Sequence, residues 1–255
     1  MWLQSAPFVW RFDLFTVENP RIFAVLDNYA AFMDVPLGRH SLTMLPHLRM
    51  GSEVHMKYNG PKVRLSRKLG FAITPKARKI MDRKPHAPGQ HGNSRRRPKL
   101  SDYAKQLIEK QKLRVQYNVH ERQMTNYMAK ASRLTGNTGD LLVQLLESRL
   151  DSVVMRCGFA RTIYAARQYV RHGHILVNGK KVDIPSYAVQ PNDVIVVKEK
   201  SRKLECFQEA IRSSVPPPYL EVSKADFSAK FLYLPPREEV PIVCEVPLVI
   251  EYYSR

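Results

Sequence analysis

The 255 residues carry 41 Lys and Arg against 23 Asp and Glu, a net charge of +18, so a polyanion is the expected partner. Three scattered cysteines, Cys157, Cys206 and Cys244, fit neither a disulfide framework nor a zinc knuckle and point to a reducing, intracellular setting. No run approaches the roughly 18 apolar residues of a membrane span, and the opening MWLQSAPFVWRFDLF has neither the basic start of a secretory signal nor the acid-poor character of a transit peptide.

Residues 1–55 hold 4 basic and 5 acidic residues and many aromatics, among them Trp2, Trp10, Phe12 and Phe15; they read as an appendage. Residues 56–140 hold 21 basic and 5 acidic residues, a net of +16, whereas 141–203 carry +6 and 204–255 carry −3. A solvated face mixes both signs, so a block this one-sided favours a bound polyanion. Between Lys57 and Pro98 it is broken by Pro61, Pro75, Pro85, Pro88 and Gly89, which predicts an irregular, extended course that orders against a partner. It lacks the bulky apolar face of a membrane-surface helix, so nucleic acid is favoured over lipid.

Ser101 caps a predicted helix reaching about residue 117, with Tyr103, Leu107, Ile108 and Leu113 near one stripe and Lys105, Lys110, Lys112 and Arg114 around the rest. A second helix, over 120–134, stops before the breaker cluster Gly136-Asn137-Thr138-Gly139. A third is predicted over 140–157, where Leu142, Leu145, Leu146, Leu150, Val153 and Val154 give a broad apolar face ended by Gly158.

The stretch ARTIYAARQYVRHGHILVNGKKV (160–182) predicts a basic helix with Ile163, Ala166 and Val170 inward and Arg167 and Arg171 on another face. Gly173 supplies a left-handed stop, 175–177 a strand, and Asn178-Gly179 a type I′ hairpin turn. Another strand follows over 194–197 after Pro191-Asn192-Asp193, then a helix over 204–213, a Pro216-Pro217-Pro218 spacer, and strand-like runs at 220–222, 229–234 and 246–252.

The blocks YNGPKVRLSRKLG (58–70), APGQHG (87–92), LSDYAKQLIEKQKLR (100–114), TGNTGDLLVQLLESRLDSVVMRCGFA (135–160), DIPSYAVQPNDVIVVKEKSR (183–202) and the terminal IEYYSR resemble, in this order, the bacterial type of the S-four family of small-subunit ribosomal proteins. The resemblance covers 56–255. It implies an α+β protein: an N-terminal extended and helical domain over 56–146, a small RNA-binding helix-helix-β-hairpin domain with a mostly antiparallel sheet over 147–203, and a continuation over 204–255 that completes the sheet and returns to the helical domain. It also implies a cytoplasmic ribosomal component that binds small-subunit rRNA, nucleates assembly of the 5′ domain, touches neighbouring small-subunit proteins and lies near the mRNA entry path, contributing to translational accuracy. No cofactor, small-molecule substrate, membrane partner or catalysis is expected.

Some members of the family bind zinc through cysteines where this chain has Val63 and Ser66, so no metal is expected here. Family members begin near Met56, so residues 1–55 are either an upstream stretch absent from the native protein or a lineage-specific extension.

Phosphate contacts are expected from Lys62, Arg64, Arg67, Lys68, Lys99, Lys110, Lys112, Arg114, Arg122 and Lys180, and from the run Arg95, Arg96 and Arg97. Arg161 either joins them or caps a loop. In the family the loop holding Gln90 and His91 lies against RNA. Arg167, Gln168, Arg171 and His172 share one docking strip, with Asn178 at the adjoining turn. Tyr103, Tyr117, Tyr127 and His91 are either base-stacking residues or, for the tyrosines, core. The rival readings are an RNA-modifying enzyme and a free-standing RNA-binding factor using the same module. Arg149-Leu150-Asp151 echoes a tripeptide around the catalytic aspartate of pseudouridine synthases, but it lies in an apolar-periodic helix where Leu150 reads as core.

Overall fold

The computed structural model describes residues 58, 60–94 and 99–255, all within one unit running from Glu53 to Arg255. The appendage over 1–55 and the run Arg95, Arg96 and Arg97 lie outside the described residues.

The described part of the proline-punctuated segment contains two helices where an extended course was expected. Helices α1 (Lys62–Leu69) and α2 (Pro75–Arg83) pack together, and α1 also meets α3 (Asp102–Gln116). The prolines fall where a helix tolerates them: Pro61 is the N-cap of α1 and Pro75 opens α2, whose Thr74 side chain accepts from the Ala77 N–H at 3.2 Å. Leu69, Phe71 and Val115 close a small core there. Ser66 stitches α1 to the next loop, its hydroxyl donating to the Lys62 carbonyl and accepting from the Ile73 N–H.

Ser101 caps α3 as expected, accepting from the Ala104 N–H at 3.3 Å; of the expected stripe Leu113 is buried, together with Gln106, Lys110 and Val115, whereas Tyr103 is exposed. Helix α4 (Glu121–Arg133) turns Met124, Met128 and Ala131 inward. The single helix expected over 140–157 is two, α5 (Thr138–Glu147) and α6 (Leu150–Arg156). At the break Arg149 is extended, and the amides of Leu150 and Asp151 donate to the carbonyls of Tyr187 and Pro185 while the Val189 N–H donates to Ser148. Apolar periodicity runs through the break because both halves feed cores; the polar residues Glu147, Ser148, Arg149, Asp151 and Ser152 that interrupt it are themselves buried.

Thr162 caps α7 (Ile163–Arg171), and Gly173 closes it at φ 70°. The hairpin β1 (Ile175–Val177) and β2 (Lys180–Lys181) turns through Asn178 and Gly179 at φ 49° and 77°, the positive pair that a type I′ turn requires. After β3 (Val194–Val197) come α8 (Glu199–Arg202), α9 (Glu205–Arg212), β4 (Leu220–Ser223) and β5 (Ser228–Phe231). The five strands form one sheet in the order β2-β1-β3-β5-β4 with every pair antiparallel. The last run is helix α10 (Val246–Tyr253), not a strand; Pro247 sits in its first turn, and Val246, Val249, Ile250 and Tyr253 fall at helical spacing.

Two main cores result, in an α+β fold. Leu150, Val153, Ala166, Val170, Ile175, Ile195, Phe207 and Phe231 join helices α6, α7 and α9 to the sheet. Leu113, Met124, Met128, Leu142, Leu146 and Val249 join α3, α4, α5 and α10. Strands β4 and β5 therefore extend the sheet, while α10 packs back on α3.

Candidate nucleic-acid interface

Helix α7 buries Ile163, Ala166 and Val170, which leaves Tyr164, Arg167, Gln168, Arg171 and His172 on its outer side. These five line one wall of a groove of about 580 Å³; Tyr58, Lys62 of α1, and Asn118 after α3 line the rest. The strip expected on α7 is thus gathered in one place, joined by a residue of the first basic segment.

The cations in the groove are not equivalent. Lys62 lies 4.9 Å from the Tyr58 ring centroid and 4.6 Å from that of Tyr164, and its ammonium donates to the Tyr58 carbonyl. Its burial lowers its pKa. Arg167 is half-buried, with Nη1 3.6 Å from the Asp151 carboxylate and without a hydrogen-bond partner. Burial and then the neighbouring Arg171 guanidinium pull its pKa down from the usual arginine value. Arg171, Gln168 and His172 are exposed.

Asp151 anchors this strip from inside. It is fully buried and accepts two bonds from Arg149, at 3.0 and 2.7 Å, and one from the Ser152 N–H at 3.0 Å. Arg149 in turn donates to the Tyr127 hydroxyl at 2.7 Å. Burial depresses the pKa of Arg149 but the Asp151 carboxylate more than restores it, while burial raises that of Asp151 against the pull of Arg149. Clamped in this way, Asp151 is not presented as a catalytic carboxylate.

The other expected contacts divide. Arg64, Lys68, Lys99, Arg122, Lys180, Gln90 and His91 are exposed. Arg67 donates to the carbonyls of His86 and Ala87 at 3.1 and 3.3 Å, tying the Gln90 loop to α1. That loop turns tightly enough that a Cβ on Gly92 would collide with the Ala87 carbonyl. Lys112 pairs with Glu109 at 2.6 Å, Arg114 donates to Gln111 at 2.8 Å, and exposed Arg161 pairs with Glu209. Asn178 spans the turn, donating to Asp193 and accepting from the Val194 N–H.

Lys110 is a correction. It is 3% exposed, its ammonium 2.8 Å from Glu121 and 4.6 Å from the Tyr252 ring centroid, because α10 covers the helix face expected to be free. Tyr117 is core at 1% exposure, donating to Glu147 at 2.6 Å, and Tyr127 is committed to Arg149. Tyr103 is half-exposed, its ring near Tyr252 and the Arg255 guanidinium. Tyr58, Asn118 and Tyr164 were missed. Tyr164 was readable, since it precedes Gln168 by one turn on the same strip; Tyr58 and Asn118 reach the groove only through tertiary packing.

A cationic groove at the seam between a helical layer and a helix-hairpin-sheet module is the build of an RNA-binding protein. Residues 57–147 match the family model of the ribosomal protein S4/S9 N-terminal domain, and residues 148–195 match that of the S4 domain. Small ribosomal subunit protein uS4 of Micrococcus luteus is 51% identical over 199 residues, covering 76% of this chain and 95% of the relative. The protein of that name from Chlorobaculum tepidum is 48% identical over 203 residues, 78% and 99% of the two chains, and that from Sulfurihydrogenibium is 48% identical over 202 residues, 78% and 98%. The chain belongs to the uS4 family.

Proposed function

We propose that this protein is a structural, non-catalytic component of the small ribosomal subunit that binds small-subunit rRNA. It also contacts neighbouring small-subunit proteins. The observation that carries the reading is the groove in which the Arg167 and Arg171 guanidiniums of α7 lie together with Tyr58, Lys62 and Asn118 from earlier parts of the chain. Family membership supports it. Positive charges at this density engage phosphates, while selectivity comes from the shape of an RNA junction and from 2′-hydroxyls.

In finer terms, the protein binds early and nucleates the 5′ domain. It lies near the mRNA entry path and contributes to translational accuracy. Its setting is the cytoplasmic ribosome. Co-sedimentation tests the reading: the protein is expected at unit stoichiometry in salt-washed small subunits, and its absence from them would defeat the proposal.

A further inference from the structure

We propose that the groove between α1 and α7 seats one unstacked nucleotide of the bound RNA, with its base at the Tyr58 and Tyr164 end and its phosphate at the Arg167 and Arg171 end. This deepens the rRNA-binding reading and rests on it. Three observations carry it. First, Lys62 is committed to the two phenol rings and to the Tyr58 carbonyl, so it builds an aromatic wall rather than serving as a free counter-charge. Second, the two guanidiniums line the α7 side: Arg171 is exposed, and Arg167, whose buried Nη1 faces Asp151 at 3.6 Å, is held in place beside it. Third, the carboxamide side chains of Asn118 and Gln168 also line the groove and can pair with the polar edges of a base.

A groove of about 580 Å³ is the size of a small-ligand site, and its division into aromatic, amide and cationic parts follows the division of a nucleotide into π-face, edge and phosphate. A paired A-form helix keeps its bases stacked inside, so only a bulged, looped or junction nucleotide supplies that combination. The wall also explains why a half-buried lysine sits among tyrosines on a surface otherwise suited to phosphate.

The test uses the full chain and a small-subunit rRNA 5′-domain fragment, with binding measured across a salt series and base reactivity mapped chemically. Tyr164→Ala is expected to weaken binding by about 5- to 100-fold, the range for loss of one stacked base, with the salt slope unchanged. One base protected by the wild type regains reactivity. Tyr164→Leu, which keeps apolar volume without a ring, is expected to behave likewise, and Tyr164→Phe to bind as the wild type does. Unaltered affinity and protection in folded Tyr164→Leu would overturn the nucleotide seat while leaving rRNA binding intact. Failure of the wild type to bind the fragment would instead remove the reading beneath it.

Discussion

Glu147 has no solvent exposure, yet Tyr117, Tyr219 and Arg156 all donate to it, the closest contacts being 2.6 Å from Tyr117 and 2.7 Å from Arg156. Tyr117 belongs to the helical core and Tyr219 to the sheet core, so one carboxylate joins the two. Burial and then the Glu147 charge push both phenols well above the usual tyrosine range, and burial opposes the Arg156 charge that Glu147 sustains. Removing one member of a buried charge network costs about 3–5 kcal/mol because the partners stay buried without compensation. Glu147→Leu is therefore expected to lower unfolding free energy by about that much in chemical denaturation; a loss below about 1 kcal/mol would show that the network is dispensable. Sequence could not reveal this, since Glu147 ends a leucine-rich run as an ordinary charged residue would, and its two phenol donors come from 30 and 72 positions away.

The start of α3 was legible from its Ser101 cap, and the inward stripe of α7 from Ile163, Ala166 and Val170. The α5–α6 break was not, because the backbone of 185–189 supplies its replacement hydrogen bonds. Helix α10 read as a strand because a short apolar run between prolines fits either form; packing on α3 decides it. That packing also took Lys110 from the interface.

Glu121 receives hydrogen bonds from Lys110 and from Tyr253 of α10, both at 2.8 Å. Burial pushes its carboxyl up, but those bonds and the charges of Lys110 and Arg114 outweigh it and leave the pKa below 4.5. A lowered carboxylate pKa contributes stability that is present above the unfolded value and is lost as pH falls through the folded one. The protection of α10 amides, corrected for intrinsic exchange, is expected to fall on acidification from about pH 5 to about pH 3. Glu121→Gln should flatten that change. An equally steep loss in the variant would place the acid-sensitive group elsewhere.

At the scale of the molecule, charge and fold cooperate. The +16 of residues 56–140 draws RNA broadly, while the +6 of residues 141–203 includes the α7 strip, held in place by Asp151 beneath it. The candidate site was legible where it lay along one helix, as Arg167, Gln168, Arg171 and His172 did, and obscure where distant segments completed it, as Tyr58 and Asn118 do; Lys62 was expected as a phosphate contact but not as a member of this groove. The salt dependence of rRNA binding tests most directly whether this strip faces phosphate. Arg167→Gln with Arg171→Gln, shown by circular dichroism to keep the fold, is expected to weaken binding and to reduce the slope of log affinity against log salt by about two, roughly one for each charge removed. An unchanged slope in the folded double variant would contradict the account.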